Sequence, residues 1–238
     1  MPARERRSEA LGADHMIYLV TIWAIPVLIA ITFHEAAHGF VAHLLGDNTA
    51  WRQGRVSFNP LKHVDPIGTV LLPALLLLLR SPFLFGYAKP VPVNFRALGH
   101  PRRDMVLVAA AGPAMNIALA IVAALAFHLV GYLPLTAARW LAANLRNALL
   151  FNVVLAVFNM FPLPPLDGGR ILTGLLPRAL AVPFSRIEPL GIPILLGLLI
   201  VLPLLGAQIG VDLGIISHGL AIATGAVVNV IVRLTGNA

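Results

Sequence analysis

The sequence predicts an all-α, polytopic membrane protein with about five transmembrane helices, and three observations carry this prediction. Hydrophobic residues make up 58% of the 238 residues, charged residues make up only 11%, and the mean hydropathy is +0.86. The apolar residues are concentrated in long stretches, several of which approach the roughly 20 residues that a helix needs to cross a bilayer. A water-soluble core is not expected from this composition.

The predicted transmembrane helices follow one another along the chain. The first runs from residue 16 to 45 and contains Pro26, which predicts a kink of the kind that neighbouring helices tolerate in a bilayer. Arginines before this run resemble the start of a signal peptide, but the run is too long, so we interpret it as a retained helix. Further helices are predicted at about residues 105–130, 148–161, 187–205 and 214–232. The run at 148–161 is short for a crossing unless residues 141–147 continue it upstream.

One apolar run is too short to follow this pattern. Residues 67–79 include Pro73 and precede Arg80-Ser81-Pro82. Since a spanning helix needs roughly 20 residues, this run predicts a re-entrant hairpin or half-helix near residues 66–88. Short extended segments are expected beside it, at residues 56–58 and 91–94.

The pentapeptide His34-Glu35-Ala36-Ala37-His38 lies inside the first predicted helix. Histidines four residues apart share one helical face and can bind the same zinc ion, while Glu35 can act as a general base. Ionisable groups in hydrocarbon cost roughly 2.5 to 3.5 kcal/mol each on insertion scales and persist mainly where function needs them. The motif therefore predicts a hydrolytic metal site within the membrane.

A catalytic zinc ion takes three protein ligands and one open position, so two histidines need a partner. The chain has no cysteine, which leaves His, Asp and Glu as the strong ligands. The best candidate is Asp167, which follows three prolines and precedes Gly168 and Gly169. Prolines hold this segment extended and glycines allow close backbone approach, although a lone Asp-Gly pair more often marks a turn.

A shared metal site also constrains the topology. His34 and His38 lie toward the C-terminal part of their helix, and Asp167 follows the C-terminal end of the helix that ends near residue 161. These two helices must therefore run in the same direction if the ligands are to share one depth. Since residues 105–130 provide one return crossing, residues 67–79 must contribute an even number of crossings, as a hairpin does.

The distribution of basic residues predicts that the site faces the cytoplasm. Cytoplasmic loops are enriched in Lys and Arg, and the loop at residues 205–215 carries neither. Three arginines near the N-terminus conflict with this orientation. The basic residues assigned to the metal side are Arg52, Arg55, Lys62, Arg80, Lys89, Arg96, Arg102, Arg103, Arg170, Arg178, Arg186 and Arg233.

Four segments together resemble the site-2 proteases, a family of intramembrane zinc metalloproteases. They are His34 to Asp47, which includes HEAAH; Gly54 to Gly68 (GRVSFNPLKHVDPIG); Ala111 to Asn116 (AGPAMN); and Asn159 to Arg170, which includes PLPPLDGG. A fifth segment, Gly86 to Asn94 (GYAKPVPVN), is similar to the compact branch of the family, which lacks PDZ and CBS domains.

The resemblance implies a role for each matching residue. His34, His38 and Asp167 would bind one Zn²⁺ per chain, and Glu35 would be the catalytic base. Asn159 would be a second catalytic residue that holds the substrate strand or polarises its carbonyl. Asn116 would be a packing group or a polar group that lines the site.

The function predicted from these residues is zinc-dependent cleavage of peptide bonds in or near transmembrane segments of membrane-anchored proteins or peptides. The alternatives are a membrane metal transporter, a zinc-binding scaffold, and an inactive protease relative that acts as a chaperone. The net charge of +7 is attributed to lipid headgroups and not to nucleic acid, since the basic residues are spread through the loops. A regulatory membrane partner or a homo-oligomer remains open.

We expect one membrane-embedded domain over residues 1–238. Its catalytic core would occupy about residues 16–170, and a C-terminal helical pair would occupy about residues 187–233. The expected location is the cell membrane of a bacterium or archaeon.

Overall fold

The computed structural model describes residues 2–71, 75, 78 and 88–237, with the side chains of these residues except 2–15 and 70. The described residues form helices and loops, with no strand among them. The helices are α1 (Pro2–Leu44), α2 (Thr49–Arg52), α3 (Pro101–Ala126), α4 (Leu135–Asn159), α5 (Asp167–Leu175), α6 (Arg178–Ser185), α7 (Glu188–Leu196), α8 (Leu202–Gln208) and α9 (Ile215–Leu234). Single 3-10 turns lie at Pro60–Lys62 and Phe95–Ala97, a longer 3-10 segment at Phe127–Tyr132, and π-helical segments at Pro66–Leu71 and Gly197–Val201.

Five helical stretches in the described part of the chain are long and apolar enough to cross a membrane, which confirms the predicted fold class. They are Met16–Leu44, Pro101–Tyr132, Leu135–Asn159, Glu188–Gln208 and Ile215–Leu234. The third begins well before the predicted residue 148. Polar residues such as Asn144 and Asn147 interrupt the apolar pattern there, but the structure buries both of them inside the bundle.

Helices α1 and α3 run in opposite directions through the core. His38, near the end of α1, contacts the carbonyl oxygen of Val108, near the start of α3. Ala30, earlier in α1, contacts Asn116, which lies later in α3. Advancing along one helix therefore means going back along the other.

Helix α4 runs parallel to α1, as the shared site requires. Asn147 contacts Ile22 of α1. Five residues further along α4, Asn152 contacts Asn116, which in turn contacts Ala30 of α1. Contacts therefore advance in the same order along both helices.

The two ends of the segment that joins α1 to α3 lie next to each other. The N–H of Gly99 donates to the carbonyl oxygen of Leu45 at 3.0 Å. Residues 66–71 are a π-helix, and residues 75 and 78 are helical, but the rest of the predicted hairpin up to residue 87 lies outside the described residues. An even number of crossings between α1 and α3 agrees with their opposite directions.

The end of α9 contradicts one detail of the predicted orientation. The carbonyl oxygen of Thr235 lies 2.7 Å from Nε2 of His128, and Nδ2 of Asn237 donates to the carbonyl oxygen of Ala124 at 2.9 Å. Ala124 lies at the far end of α3 and His128 lies in the 3-10 segment that follows it, away from His34 and His38. Arg233 therefore does not lie on the side of the metal site, because packing of α9 against α3 and α4 sets its direction.

Pro26 lies inside the continuous helix α1 and is accommodated by a polar contact from α4. Proline has no N–H, so the carbonyl oxygen of Ile22 loses its usual partner four residues later. Nδ2 of Asn147 donates to this oxygen at 2.8 Å, and Asn147 is buried. The side chain of α4 thus replaces the hydrogen bond that the proline removes.

We expect Asn147→Leu to lower the free energy of unfolding by about 1–3 kcal/mol, because it leaves the buried Ile22 carbonyl without a donor. Unfolding of the detergent-solubilised protein measures the change. In a Pro26→Ala background, residue 26 regains its N–H and Asn147→Leu should cost less. An equal cost in both backgrounds would contradict the explanation.

Candidate metal centre

The two histidines of the HEAAH motif face each other with their Nε2 atoms. His34 and His38 lie one turn apart on α1, and their Nε2 atoms are 3.1 Å apart. The rings are nearly perpendicular, with an angle of 86° between their planes. Both Nε2 atoms therefore face one small region beside α1.

Asp167 completes this group from a distant part of the sequence. Its Oδ2 atom lies 3.3 Å from Nε2 of His34 and 3.4 Å from Nε2 of His38. All three ligand atoms lie within 4.8 Å of one another, and the three residues are buried. The structure thus brings together the three residues that the sequence predicts as metal ligands.

The loop before Asp167 is packed too tightly for larger residues. A Cβ atom on Gly168 would overlap the backbone of Met160 and Phe161, and one on Gly169 would overlap the backbone of Leu163 and Pro164. Glycine permits this approach because it has no Cβ. The loop folds back on the end of α4 and places Asp167 at the first residue of α5.

The hydrogen-bond partners of the two imidazole rings leave the lone pair of each ring on Nε2, the atom that faces Asp167. Nδ1 of His34 lies 2.6 Å from Oδ1 of Asn116, and Nδ1 of His38 lies 2.7 Å from the carbonyl oxygen of Val108. An acceptor at Nδ1 requires that Nδ1 carry the proton, which leaves a lone pair on each Nε2. The outer hydrogen bonds therefore prepare both rings to bind a cation.

A metal cation fits this donor set. Two imidazole lone pairs and a carboxylate oxygen converge, and Oδ2 of Asp167 is buried without a hydrogen-bond donor among the described residues. Burial raises the pKa of the Asp167 carboxyl, but hydrogen bonds and positive charge from the two imidazoles in their protonated form outweigh this effect and hold the pKa well below its usual range. Two histidines and one carboxylate form a ligand set known from catalytic zinc sites.

Gly112 gives the two rings the space that they occupy. A Cβ atom on Gly112 would lie 2.5 Å from Cε1 of His34 and 2.5 Å from Nε2 of His38. No ordinary van der Waals contact is that short. Helix α3 therefore approaches the histidines closely only because residue 112 is glycine.

Glu35 is hydrogen-bonded to the segment at residues 88–94. The N–H of Val91 donates to Oε2 of Glu35 at 2.7 Å. Nη2 of Arg55 donates to the carbonyl oxygens of Lys89 at 2.7 Å and Pro90 at 3.3 Å. Residues 88–94 are thus held beside Glu35, the general base that the sequence predicts.

Asp47 fixes the far end of the same segment. This fully buried carboxylate accepts hydrogen bonds from the N–H groups of Asn94 at 2.6 Å and Thr49 at 2.9 Å. Burial alone raises the pKa of Asp47, but hydrogen bonds from Thr49 and Asn94 lower it below its ordinary value. The carboxyl is therefore ionised at neutral pH, and its contribution to stability falls only when acid protonates it.

Asn159 does not join the group of three ligand residues. It is the last residue of α4, and its Nδ2 donates to the carbonyl oxygen of Leu155 in the same helix at 3.0 Å. The amide has two N–H groups, so the one that does not face Leu155 is left to donate to a substrate carbonyl. Its catalytic role stays a prediction.

Comparisons with known proteins agree with this arrangement. The chain is 39% identical over 192 residues to "Putative zinc metalloprotease YwhC" of Bacillus subtilis (strain 168), and the match covers 78% of this chain and 81% of that protein. The model of Peptidase family M50 matches residues 134–202. The chain belongs to peptidase family M50. This confirms the resemblance to the site-2 proteases.

A second M50 relative matches over a shorter length. "Putative zinc metalloprotease Rip2" of Mycobacterium tuberculosis (strain ATCC 25618 / H37Rv) is 31% identical over 145 residues, which cover 61% of this chain and 53% of that protein. The chain thus spans about half the length of Rip2. No solved structure matches the chain significantly.

Several contacts of this M50 site were not predicted from the sequence. Val108 contributes a backbone carbonyl, which no residue pattern indicates. Gly112 lies in the AGPAMN segment, where only its neighbour Asn116 was singled out. Arg55 was counted as a surface cation, although a buried charge with no carboxylate partner among the described residues indicates a positioning role.

Proposed function

We propose that the protein is a zinc-dependent intramembrane endopeptidase, in which His34, His38 and Asp167 bind one Zn²⁺ and Glu35 is the general base. The observation that carries the proposal is the convergence of three buried ligand atoms beside Glu35 in a chain of family M50. The names of YwhC and Rip2 support zinc as the metal. A metal transporter would need the three ligands but no general base beside them, whereas hydrolysis requires one.

The zinc ion, when bound, acts as a Lewis acid and lowers the pKa of a water molecule. Glu35 accepts the proton of the attacking water and returns it to the leaving amine. The N–H of Val91 fixes Oε2 of Glu35, and no described residue donates to Oε1. Oε1 is therefore the oxygen that receives the proton.

The substrate is positioned by the residues that surround the Glu35 carboxylate. A transmembrane helix hides its peptide bonds, so a substrate has to unwind locally before cleavage. Asn159 keeps one amide N–H on the carbonyl oxygen of Leu155 and donates the other to the substrate carbonyl, where a hydrogen-bond donor stabilises developing negative charge. The extended residues 88–94 lie beside Glu35 and border the place where the unwound strand binds.

The same proposal covers the organisation and location of the protein. Residues 1–238 form one membrane-embedded domain, with a catalytic core at about 16–170 and a C-terminal helical pair at about 187–233. The substrates are membrane-anchored proteins or peptides. The protein lies in a bacterial or archaeal cell membrane with its active site toward the cytoplasm.

Metal removal tests the function directly. We expect a chelator to abolish cleavage of a tagged transmembrane peptide by the purified full-length protein, and one equivalent of Zn²⁺ per chain to restore it. Peptide fragments and bound zinc are measured on the same samples. Zn²⁺ flux into proteoliposomes without any peptide cleavage would instead support the metal transporter.

A further inference from the structure

A chain of three buried side chains connects α4 to the metal-binding face of α1. Nδ2 of Asn152 donates to the carbonyl oxygen of Ala148 at 2.8 Å. Oδ1 of Asn152 accepts from Nδ2 of Asn116 at 2.8 Å, and Oδ1 of Asn116 lies 2.6 Å from Nδ1 of His34. Asn116 is completely buried, Asn152 is 2% exposed and His34 is 6% exposed.

Each hydrogen bond in this chain of side chains determines which atom donates and which accepts in the next one. The amide of Asn152 is oriented because its nitrogen faces the carbonyl oxygen of Ala148. Its oxygen then faces Asn116 and can only accept, so the nitrogen of Asn116 must point toward Asn152. The oxygen of Asn116 is left to face His34, whose Nδ1 must therefore carry the proton.

Asn116 needs a partner to hold this orientation. A carboxamide has nearly the same shape when its oxygen and nitrogen exchange places, so only hydrogen bonds distinguish the two orientations. Besides Asn152, Nδ2 of Asn116 has one other acceptor, the carbonyl oxygen of Ala30 at 3.2 Å. That oxygen belongs to α1, and its distance is longer than the 2.8 Å to Asn152.

The two histidines depend on different kinds of acceptor. Nδ1 of His38 faces the backbone carbonyl of Val108, which is held by α3 and cannot exchange with a donor. Nδ1 of His34 faces a side-chain amide that can reverse. His34 is thus the ligand whose lone pair depends on side chains outside the metal site.

From these contacts we infer that Asn152 is a positioning residue, which acts through Asn116 to keep the lone pair of His34 Nε2 available for the metal. The inference rests on the proposed metal site. Asn152 touches neither the three ligand side chains nor Glu35 in any described contact. It influences metal binding from α4, a helix that contains none of the three ligands.

The variant that tests this inference is Asn152→Leu, which removes the acceptor while nearly preserving volume. Loss of an outer hydrogen bond to a ligating histidine typically weakens metal binding about 10- to 100-fold. We expect a loss in this range for Zn²⁺, measured by competition with a chelator of known affinity on the full-length protein in detergent. The visible absorption spectrum of the Co²⁺-loaded protein should change as well, because one ligand is displaced.

Two further variants separate positioning from general loss of packing. Asn152→Asp keeps an acceptor toward Asn116 and should restore Zn²⁺ affinity to near the wild-type value. Asn144→Leu is the matched control, since Asn144 is a buried asparagine of α4 whose Nδ2 donates to Trp140 within the same helix. It should leave Zn²⁺ affinity and the Co²⁺ spectrum unchanged.

Each remaining outcome decides against the inference. Unchanged affinity in Asn152→Leu, no recovery in Asn152→Asp, or an equal loss in Asn144→Leu would overturn it while leaving the proposed function intact. Wild-type protein that binds neither Zn²⁺ nor Co²⁺ would overturn both. Zinc binding by the wild type therefore distinguishes failure of the positioning role from failure of the metal site.

Discussion

Glu35→Gln protein keeps its zinc and loses cleavage of a transmembrane peptide by about 10²- to 10⁴-fold, the range expected for removal of a general base. Glutamine has nearly the shape of glutamate, and its carbonyl oxygen can still accept from the N–H of Val91, so the extended segment stays in place. The remaining amide group cannot accept a proton from water. Cleavage rate and zinc content, measured on the same preparation, check this result.

The matched control is Glu188→Gln, which makes the same chemical change outside the site. Glu188 lies at the start of α7 and pairs with Arg170 at 3.4 Å, with 49% of its side chain exposed. An exposed ion pair contributes little to stability, so cleavage should be unchanged. Undiminished cleavage by Glu35→Gln would refute Glu35 as the base.

Gly112→Ala abolishes metal binding in a helix that stays folded. The added Cβ atom would lie 2.5 Å from atoms of both histidine rings, so the rings or α3 must move. Alanine favours a helix interior over glycine by about 1 kcal/mol, so unwinding of α3 cannot explain the loss. Zinc content per chain and cleavage both fall to background, while far-UV circular dichroism stays that of the wild type.

The control for this substitution is Gly225→Ala. Gly225 also lies inside a helix, α9, but a Cβ atom there would meet no atom within 4 Å among the described residues. We expect this variant to bind one zinc ion and to cleave at the wild-type rate. Full zinc occupancy in Gly112→Ala would contradict the prediction that a Cβ atom at residue 112 displaces the two histidine rings.

Local patterns were sufficient to predict five crossings and to select the candidate ligands. Apolar stretches of about 20 residues predict crossings whatever their neighbours are, because hydrocarbon itself selects them. The four-residue spacing of His34 and His38 places them on one face of any helix. Asp167 needed only the added requirement of a third ligand.

Where the sequence pattern failed, a contact between distant residues was responsible. The start of α4 at Leu135 was missed because Asn144 and Asn147 look unfavourable in a membrane until their partners, within α4 and on α1, are known. Asn147, for example, donates to the carbonyl that Pro26 leaves free. The direction of α9 was likewise set by packing against α3 and α4, and not by the position of Arg233.

The sequence by itself therefore determined the membrane class, the candidate metal ligands and the shared helical face of His34 and His38, since these follow from composition, residue type and spacing along the chain. Only the tertiary structure decided how the ligands are oriented and how much room they have. Asn116 and Val108 face the outer nitrogens of the rings, and Gly112 admits the rings themselves. Hydrogen-bond direction and close approach depend on atoms from different helices, and no periodicity along the chain encodes them.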